Sequence, residues 1–248
     1  MGSRTTLSCR QLAGRTRVPP NRIGHAPRDD GLLFAFSGAA WAPDASGFFY
    51  SRYDAPTDPL EQVNDNQKLY FHRIGTSQDN DTCVHARPDE PSWGFNPQVV
   101  EGVGIANVWR GTEPVNLLYR FDPLDPDAGV VPLIDAWRAS YTPVGVVDGH
   151  LYLLTDHDAP RQRIVRLDLA NAGASLEEVV PQGEHLLESA RIVGRRLVLT
   201  RLVRAYTTVE IASLDGDLVC TVPLPGIGTA GGFSGEVDNP LAYFWFTS

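Results

Sequence analysis

Hydrophobic and polar positions alternate in short runs along most of the chain, which is the pattern of β-strands. Runs rich in aromatic and β-branched residues include "FFYSRY", "KLYFHRI", "HLYLLTD" and "RLVLTRL". Turn-forming segments such as "APDASG", "GTSQDND" and "DPLDPDAG" separate these runs. Apolar positions at helical spacing over about ten or more residues are hard to find anywhere. The pattern predicts an all-β fold.

The runs recur in units that share one order: a first strand, a tight turn, a longer second strand and two further strands. Four units occupy about residues 34–88, 95–137, 141–181 and 186–224. A repeated four-stranded antiparallel unit is typical of a β-propeller blade, whereas a β-sandwich does not explain the repeated order. A fifth unit, "GTAGGFSGEVDNPLAYFWFTS", ends after its second strand. The sequence therefore predicts an incomplete β-propeller of about four blades plus the start of a fifth.

The N-terminal segment differs in composition from the rest of the chain. Residues 1–28 contain six arginines and no acidic residue. An Arg-rich, acid-free leader is also found in targeting peptides, but two adjacent prolines and the lack of an apolar stripe argue against one. Residues 1–30 are therefore predicted to be a disordered tail, and residues 31–248 to form the propeller domain.

Charge and cysteine usage restrict the partners and the compartment. The formal net charge is −9 and the pI about 5.1, so nucleic acid is not expected as a partner. Apolar runs are all too short to span a membrane. Three scattered cysteines, Cys9, Cys83 and Cys220, include no C-x-x-C pair, which predicts neither a disulfide framework nor a zinc site. A cytoplasmic location and no metal are expected.

Two motifs overlap in "PLPGIGTAGGFSGE", residues 223–236. Gly226, Gly228 and Gly231 have the G-x-G-x-x-G spacing of a dinucleotide cradle, which requires a following helix. The residues that follow, "FSGEVDNP", are turn formers, so no cofactor is predicted. Ser234 has Glu236 where a G-x-S-x-G nucleophile elbow needs glycine, and that motif is absent elsewhere. We interpret the segment as a connector into the innermost strand of the next blade.

Other polar clusters have simpler structural explanations. "TDHDAP", residues 155–160, is expected to be a solvated turn rather than a metal site, because neighbouring side chains point apart. "RPDEP", residues 87–91, offers two carboxylates for acid–base chemistry, but caps or salt bridges are the better interpretation. His72 and His85 lie on strands without an evident catalytic partner. The five tryptophans are expected to pack between blades: Trp41, Trp93, Trp109, Trp137 and Trp245.

Six phrases of the sequence resemble, in order and with similar gaps, the propeller domain of the prolyl oligopeptidase family. They are "FSGAAWAPDASGFFYSRY", "NDNQKLYFHRIGT", "RPDEPSWGF", "VWRGTEPVNLLYR", "LTDHDAPRQRIVRLDL" and "LPGIGTAGGFSG…FWFTS". The resemblance covers residues 31–248. It implies a seven-bladed propeller that caps an α/β-hydrolase domain carrying a Ser-Asp-His triad, in a serine endopeptidase that cleaves short peptides after proline.

Within that family the propeller restricts entry to short peptides, so this chain is expected to gate substrate access. The resemblance implies substrate-facing positions at Phe36, Trp93, Gly94, Trp109 and Thr112. Trp109 stands where some relatives have arginine, and Gly94 where some have a larger side chain. The partners implied are an α/β-hydrolase domain and short proline-containing peptides.

The chain has no hydrolase motifs, so no catalytic residue is predicted, and the chain alone is expected to be inactive. Two alternatives remain: a stand-alone propeller that serves as a binding scaffold, and a truncated gene product without function.

Overall fold

The computed structural model describes residues 38–53, 65–171, 173 and 175–248. The first sheet is antiparallel, with its four strands in sequence order. It contains β1 (Ala40–Trp41), β2 (Gly47–Arg52), β3 (Lys68–Arg73) and β4 (Thr82–His85). Strands β2 and β3 are almost wholly buried, which agrees with their continuous aromatic runs.

The second sheet repeats the same antiparallel order. It contains β5 (Trp93–Val100), β6 (Val103–Arg110), β7 (Leu117–Phe121) and β8 (Val130–Ile134). Every residue of β5 pairs with one of β6, from Trp93 opposite Arg110 to Val100 opposite Val103. A tight turn at Glu101 and Gly102, both with positive φ, joins the two strands.

Two further four-stranded sheets and a two-stranded sheet follow. The third sheet contains β9 (Tyr141–Val147), β10 (His150–Thr155), β11 (Arg163–Asp168) and β12 (Glu177–Val180). The fourth contains β13 (Leu186–Val193), β14 (Arg196–Val203), β15 (Tyr206–Ala212) and β16 (Leu218–Val222). The last pair is β17 (Thr229–Ser234) and β18 (Tyr243–Thr247).

The described residues form two compact units, one ending at Tyr141 and the other beginning at Thr142. In the first unit, the first two sheets pack face to face through aromatic side chains. Phe49 of β2 lies with its ring centroid 4.5 Å from that of Phe121 of β7 and is fully buried. Burial of aromatic side chains of this size supplies most of the driving force for packing one blade on the next.

The second unit has two apolar layers. One joins the third and fourth sheets and includes Tyr152, Ile164, Leu187 and Leu197. The other joins the fourth sheet to β17 and β18, where the rings of Phe233 and Phe244 stack 4.9 Å apart. The central strands contribute alternate residues, such as Tyr152 with Leu154 and Leu197 with Leu199, as the period of two in the sequence predicts.

The all-β class and the repeated four-stranded unit are confirmed. No helix of the described part is long and apolar enough to cross a membrane. The segment 223–236 is only partly a connector, because its residues 229–234 form strand β17, and no helix follows Gly231. The cradle therefore has no helix N-terminus at which to bind a pyrophosphate.

The prediction that the five tryptophans pack between blades is wrong for two of them. Trp41 is 49 % exposed and Trp245 is 53 % exposed. Trp41 lies in the first strand of the first sheet, and Trp245 in the last described strand. Within its own compact unit, each of these two sheets packs against one neighbouring sheet. The predicted tail, residues 1–30, and Phe36 lie outside the described residues.

Candidate functional site

Four of the five predicted substrate-facing residues lie at one end of the second sheet. Trp93 and Gly94 begin β5, and Trp109 is the residue before the last of β6. Thr112 is exposed in the turn between β6 and β7. Because β5 and β6 are antiparallel, the start of one lies beside the end of the other. The fifth residue, Phe36, is outside the described part of the chain.

Gly94 and Trp109 form one contact across the strands. They are register partners, and a Cβ atom on Gly94 would come within 2.1 Å of the Trp109 ring at Cζ2. Glycine is therefore required for the half-buried indole to lie against the β5 backbone. The indole of Trp109 thus occupies the space that a side chain at position 94 would need, so the two positions depend on each other.

The opposite face of the same sheet end carries a pair of tryptophans flanked by two arginines. The rings of Trp93 and Trp137 meet edge to face with centroids 5.2 Å apart. The guanidinium of Arg87 lies 4.4 Å from the Trp93 ring centroid, and that of Arg110 lies 4.5 Å from that of Trp137. Cation–π and edge-to-face contacts at these distances are each worth roughly 0.5–2 kcal/mol. We name this group the arginine–tryptophan ladder.

Carboxylates fix both arginines of the ladder. Asp89 accepts hydrogen bonds from Arg87 Nε (3.0 Å) and from its terminal nitrogen (2.8 Å). Glu113 accepts one from Arg110 Nε at 2.7 Å. The hydrogen bonds from Arg87 lower the pKa of Asp89, and those to Asp89 raise the pKa of Arg87, so both stay charged. The preference for salt bridges over acid–base chemistry in "RPDEP" is thus confirmed for Asp89.

Tyr119 and His85 lie beside the ladder and are both held uncharged. The Tyr119 hydroxyl donates to Asp135 at 3.0 Å, and burial together with that carboxylate raises the pKa of Tyr119 to about 12. The ring of His85 contacts Phe95 and Tyr119 with centroids 5.2 and 5.6 Å apart. Burial, with a smaller effect of the charge on Arg87, lowers the pKa of His85. Tyr119 and Phe95 are core residues, so this cluster is a packed support for the ladder rather than a source of a nucleophile or a base.

Sequence reasoning missed a buried polar network in the first sheet. The Asp81 carboxylate accepts from His72 Nδ1 at 2.7 Å and from the Tyr50 hydroxyl at 2.5 Å, and the side chains of His72 and Asp81 are fully buried. Gln78 donates to the Tyr50 oxygen at 2.8 Å. The only sequence signal was an aspartate nine residues after the histidine, across the β3–β4 connection. The buried His72, Asp81 and Tyr50 are inaccessible to a peptide, so the role of this network is structural.

The metal alternative at "TDHDAP" gains no support from the geometry. His157 and Asp158 approach each other at 3.7 Å, and the Asp158 side chain is largely exposed. Within the described ranges, no three His, Cys, Asp or Glu side chains group in a way that could hold a metal ion.

Comparison with known proteins identifies the family. The family model for the prolyl oligopeptidase N-terminal β-propeller domain matches residues 28–248. Prolyl endopeptidase of Elizabethkingia meningoseptica is 32% identical over 229 residues, covering 89% of this chain and 32% of the relative. Prolyl oligopeptidase A of Galerina marginata is 28% identical over 173 residues, covering 64% of this chain and 23% of the relative. The chain spans about a third or less of these relatives' length.

Solved structures give the same result. A structure from a study of two prolyl endopeptidases and their inter-domain dynamics is 33% identical, with a TM-score of 0.78 over 87% of this chain and 31% of the other. Prolyl oligopeptidase B from Galerina marginata shares the fold, at 19% identity and a TM-score of 0.76, over 86% of this chain and 30% of the other. The four four-stranded sheets correspond to blades of the family's β-propeller, and β17 and β18 follow them as a fifth, two-stranded sheet. The chain belongs to the prolyl oligopeptidase family and corresponds to its N-terminal β-propeller domain.

Proposed function

We propose that this propeller gates the access of peptides to the active site of a prolyl-oligopeptidase-like serine endopeptidase. The observation that carries the proposal is the match of residues 28–248 to the N-terminal propeller domain of that family, over about a third of the relatives' length. A propeller over an active site selects substrates by their ability to pass, so short unfolded peptides enter and folded proteins do not.

The proposed catalytic partner is an α/β-hydrolase domain that supplies the Ser-Asp-His triad. The 248-residue sequence contains no G-x-S-x-G, so its own residues are expected to bind or guide a peptide and not to attack it. The purified chain should neither cleave a proline-containing reporter peptide nor react with a fluorophosphonate. Turnover that disappears with a serine-directed inhibitor would refute this assignment.

We further propose that Trp93, Gly94, Trp109 and Thr112 border the path of the substrate. In support, the half-buried Trp109 ring and the exposed Thr112 lie at the same end of the second sheet. Aromatic surfaces of this kind pack well against proline rings, which are rigid and apolar. The same role for Phe36 stays a prediction.

Substitution of Trp109 tests this role when residues 28–248 replace the matching segment of the E. meningoseptica relative. Trp109→Ala should lower kcat/KM for a short proline peptide several-fold, because apolar contact with the substrate is lost. Trp41→Ala is the matched control, since Trp41 is also half-exposed but lies on the first sheet. Equal kcat/KM values for the two variants, both folded, would exclude Trp109 from the substrate path.

A second candidate function, a binding scaffold, is favoured by the exposed apolar side chains of β18 and of the segment just before it. Leu241, Tyr243 and Trp245 are 45%, 42% and 53% exposed, which is unusual for neighbouring large apolar side chains. Light scattering after size exclusion tests this candidate. A defined dimer would support an assembly that covers these side chains, and a monodisperse monomer would argue against it.

We also propose a cytoplasmic location, which rests on the odd number and wide scatter of the cysteines in the sequence. The disulfide-bonded state of Cys220 in the structure argues against this proposal. Fractionation of the source cells with an antibody against the chain tests it. Recovery of the chain in an extracytoplasmic fraction would overturn it.

A further inference from the structure

A cavity of about 400 Å³ opens between the third and fourth sheets, within the second compact unit. Its walls come from three hairpin turns and the strand ends beside them. The volume lies in the range of roughly 300–1,000 Å³ that is typical of sites for small molecules. Nothing in the gating role described above uses this cavity.

Two of the three turns are rigid. The β9–β10 turn consists of Asp148 and Gly149, with φ of 49° and 78°, and the β13–β14 turn of Gly194 and Arg195, with φ of 56° and 55°. Two-residue turns with positive φ at both positions are type I′, whose twist matches that of the flanking strands. The rim of the cavity is therefore formed before any ligand arrives.

Two of the three arginines that line the cavity are already neutralised. Arg166 donates two hydrogen bonds to Glu177, at 2.7 and 2.8 Å, and one to Asp215 at 3.0 Å. Arg195 pairs with Asp148 from the facing turn. These pairs connect neighbouring strands and turns across the cavity, and they leave no surplus positive charge on either arginine.

Arg196 is the exception. It lines the same cavity and is half-buried, yet none of the carboxylates in the described part of the chain forms an ion pair with it. A guanidinium carries five donors in a fixed fork and no acceptor, so a partly desolvated one is best satisfied by a carboxylate or a similar oxyanion. The chain as a whole carries a net charge of −9, so non-specific attraction of anions to its surface is weak.

Other groups of the cavity supply a donor and an apolar wall. Ser213 Oγ accepts from the backbone N–H groups of Asp215 (3.2 Å) and Asp217 (3.0 Å), so its own hydroxyl proton is left to donate. The buried Tyr152 donates its hydroxyl to the Leu214 carbonyl at 3.3 Å, which fixes its ring in the wall. The lining thus combines a charged fork, a hydroxyl donor and an aromatic face.

We propose that this cavity binds a small organic monocarboxylate, with the carboxylate on Arg196 and the apolar part of the molecule against Tyr152. A singly charged ligand matches the one arginine that lacks an internal carboxylate. A dianion such as phosphate is disfavoured, because Asp148 and Asp215 also line the cavity and would repel the second charge. This inference is independent of the gating function.

The test uses the full chain and two probes, N-benzoylglycine and inorganic phosphate. We expect N-benzoylglycine to raise the Tm saturably, because a ligand that binds only the folded state stabilises it by mass action. Arg196→Gln should weaken binding by at least about tenfold, since a charge-assisted bidentate contact is lost. Arg191→Gln is the matched control, because Arg191 is an exposed arginine on β13 that does not line the cavity. It should bind as the wild type does.

Arg196→Lys is a second variant that keeps the positive charge but lacks the planar fork of the guanidinium. It distinguishes a loss of binding from a loss of folding. It should fold and show intermediate affinity. The proposal is overturned if the wild type shows no saturable shift, or if a folded Arg196→Gln variant binds N-benzoylglycine as tightly as the wild type. Tighter binding of phosphate than of N-benzoylglycine would overturn the assignment to a monocarboxylate.

Discussion

The buried network of the first sheet makes the sharpest prediction about stability. Asp81→Asn keeps the shape of the side chain but removes its charge and one of its two acceptor oxygens. The remaining amide oxygen can accept from His72 or from Tyr50, and the new NH2 group then faces the other donor. One hydrogen bond is lost inside a fully buried site, and the other loses its charge-assisted strength.

The magnitude follows from these two losses. A buried donor that loses its acceptor lowers the free energy of unfolding by about 1–3 kcal/mol. The weaker remaining hydrogen bond lowers it by about 1 kcal/mol more. We therefore expect Asp81→Asn to lower the free energy of unfolding by about 3 kcal/mol, near the lower end of what breaking a buried pair costs. This would be a large fraction of the stability of a typical domain.

Urea titration followed by circular dichroism measures this change, with the slope checked for each variant. Asp79→Asn is the matched control, because Asp79 is exposed in the same short turn before β4, and its effect should stay within about 0.5 kcal/mol. The reasoning is refuted if Asp81→Asn also stays within that limit while the slope is unchanged.

Two further predictions concern the candidate site. Gly94→Ala should cost about 1–3 kcal/mol and change the fluorescence of Trp109, because the new methyl group overlaps the indole. Gly226→Ala is the control, since a Cβ there meets nothing within 4 Å. The pKa of His85 in the folded state lies below its usual 6.5. As the pH falls, the His85 side chain is therefore protonated at a higher pH in the unfolded chain than in the folded one. The free energy of unfolding should therefore fall as pH drops below about 6.5, until the lowered pKa is passed. In urea titrations from about pH 7.5 to 5.5, His85→Leu should show a smaller fall. An equal fall would contradict the role given to His85.

Much of the fold could be predicted because blades are local structures. Each sheet pairs strands that are neighbours in sequence, so a period of two and the turn residues are enough to order β5 to β8. The boundary between turn and strand in 223–236 could not be predicted, because glycines favour turns locally. At Gly231, the packing of Trp245 against the backbone favours the strand over a turn.

The candidate site could be predicted only in part. The family resemblance predicted that Trp93 and Trp109 face the substrate. The antiparallel register places the two side chains on opposite faces of one sheet end. The ladder partners, Arg87 and Trp137, come from connecting segments whose path no periodicity specifies. His72 and Asp81 meet through a short turn whose geometry depends on the surrounding packing.

The central claim is that this propeller selects substrates by size. The most direct test compares kcat/KM for a short proline peptide and for a long unfolded protein, in the E. meningoseptica relative carrying residues 28–248 in place of its matching segment. The account predicts a chimera that cleaves the short peptide and discriminates strongly against the long substrate. A folded chimera that cleaves both with equal kcat/KM would contradict it.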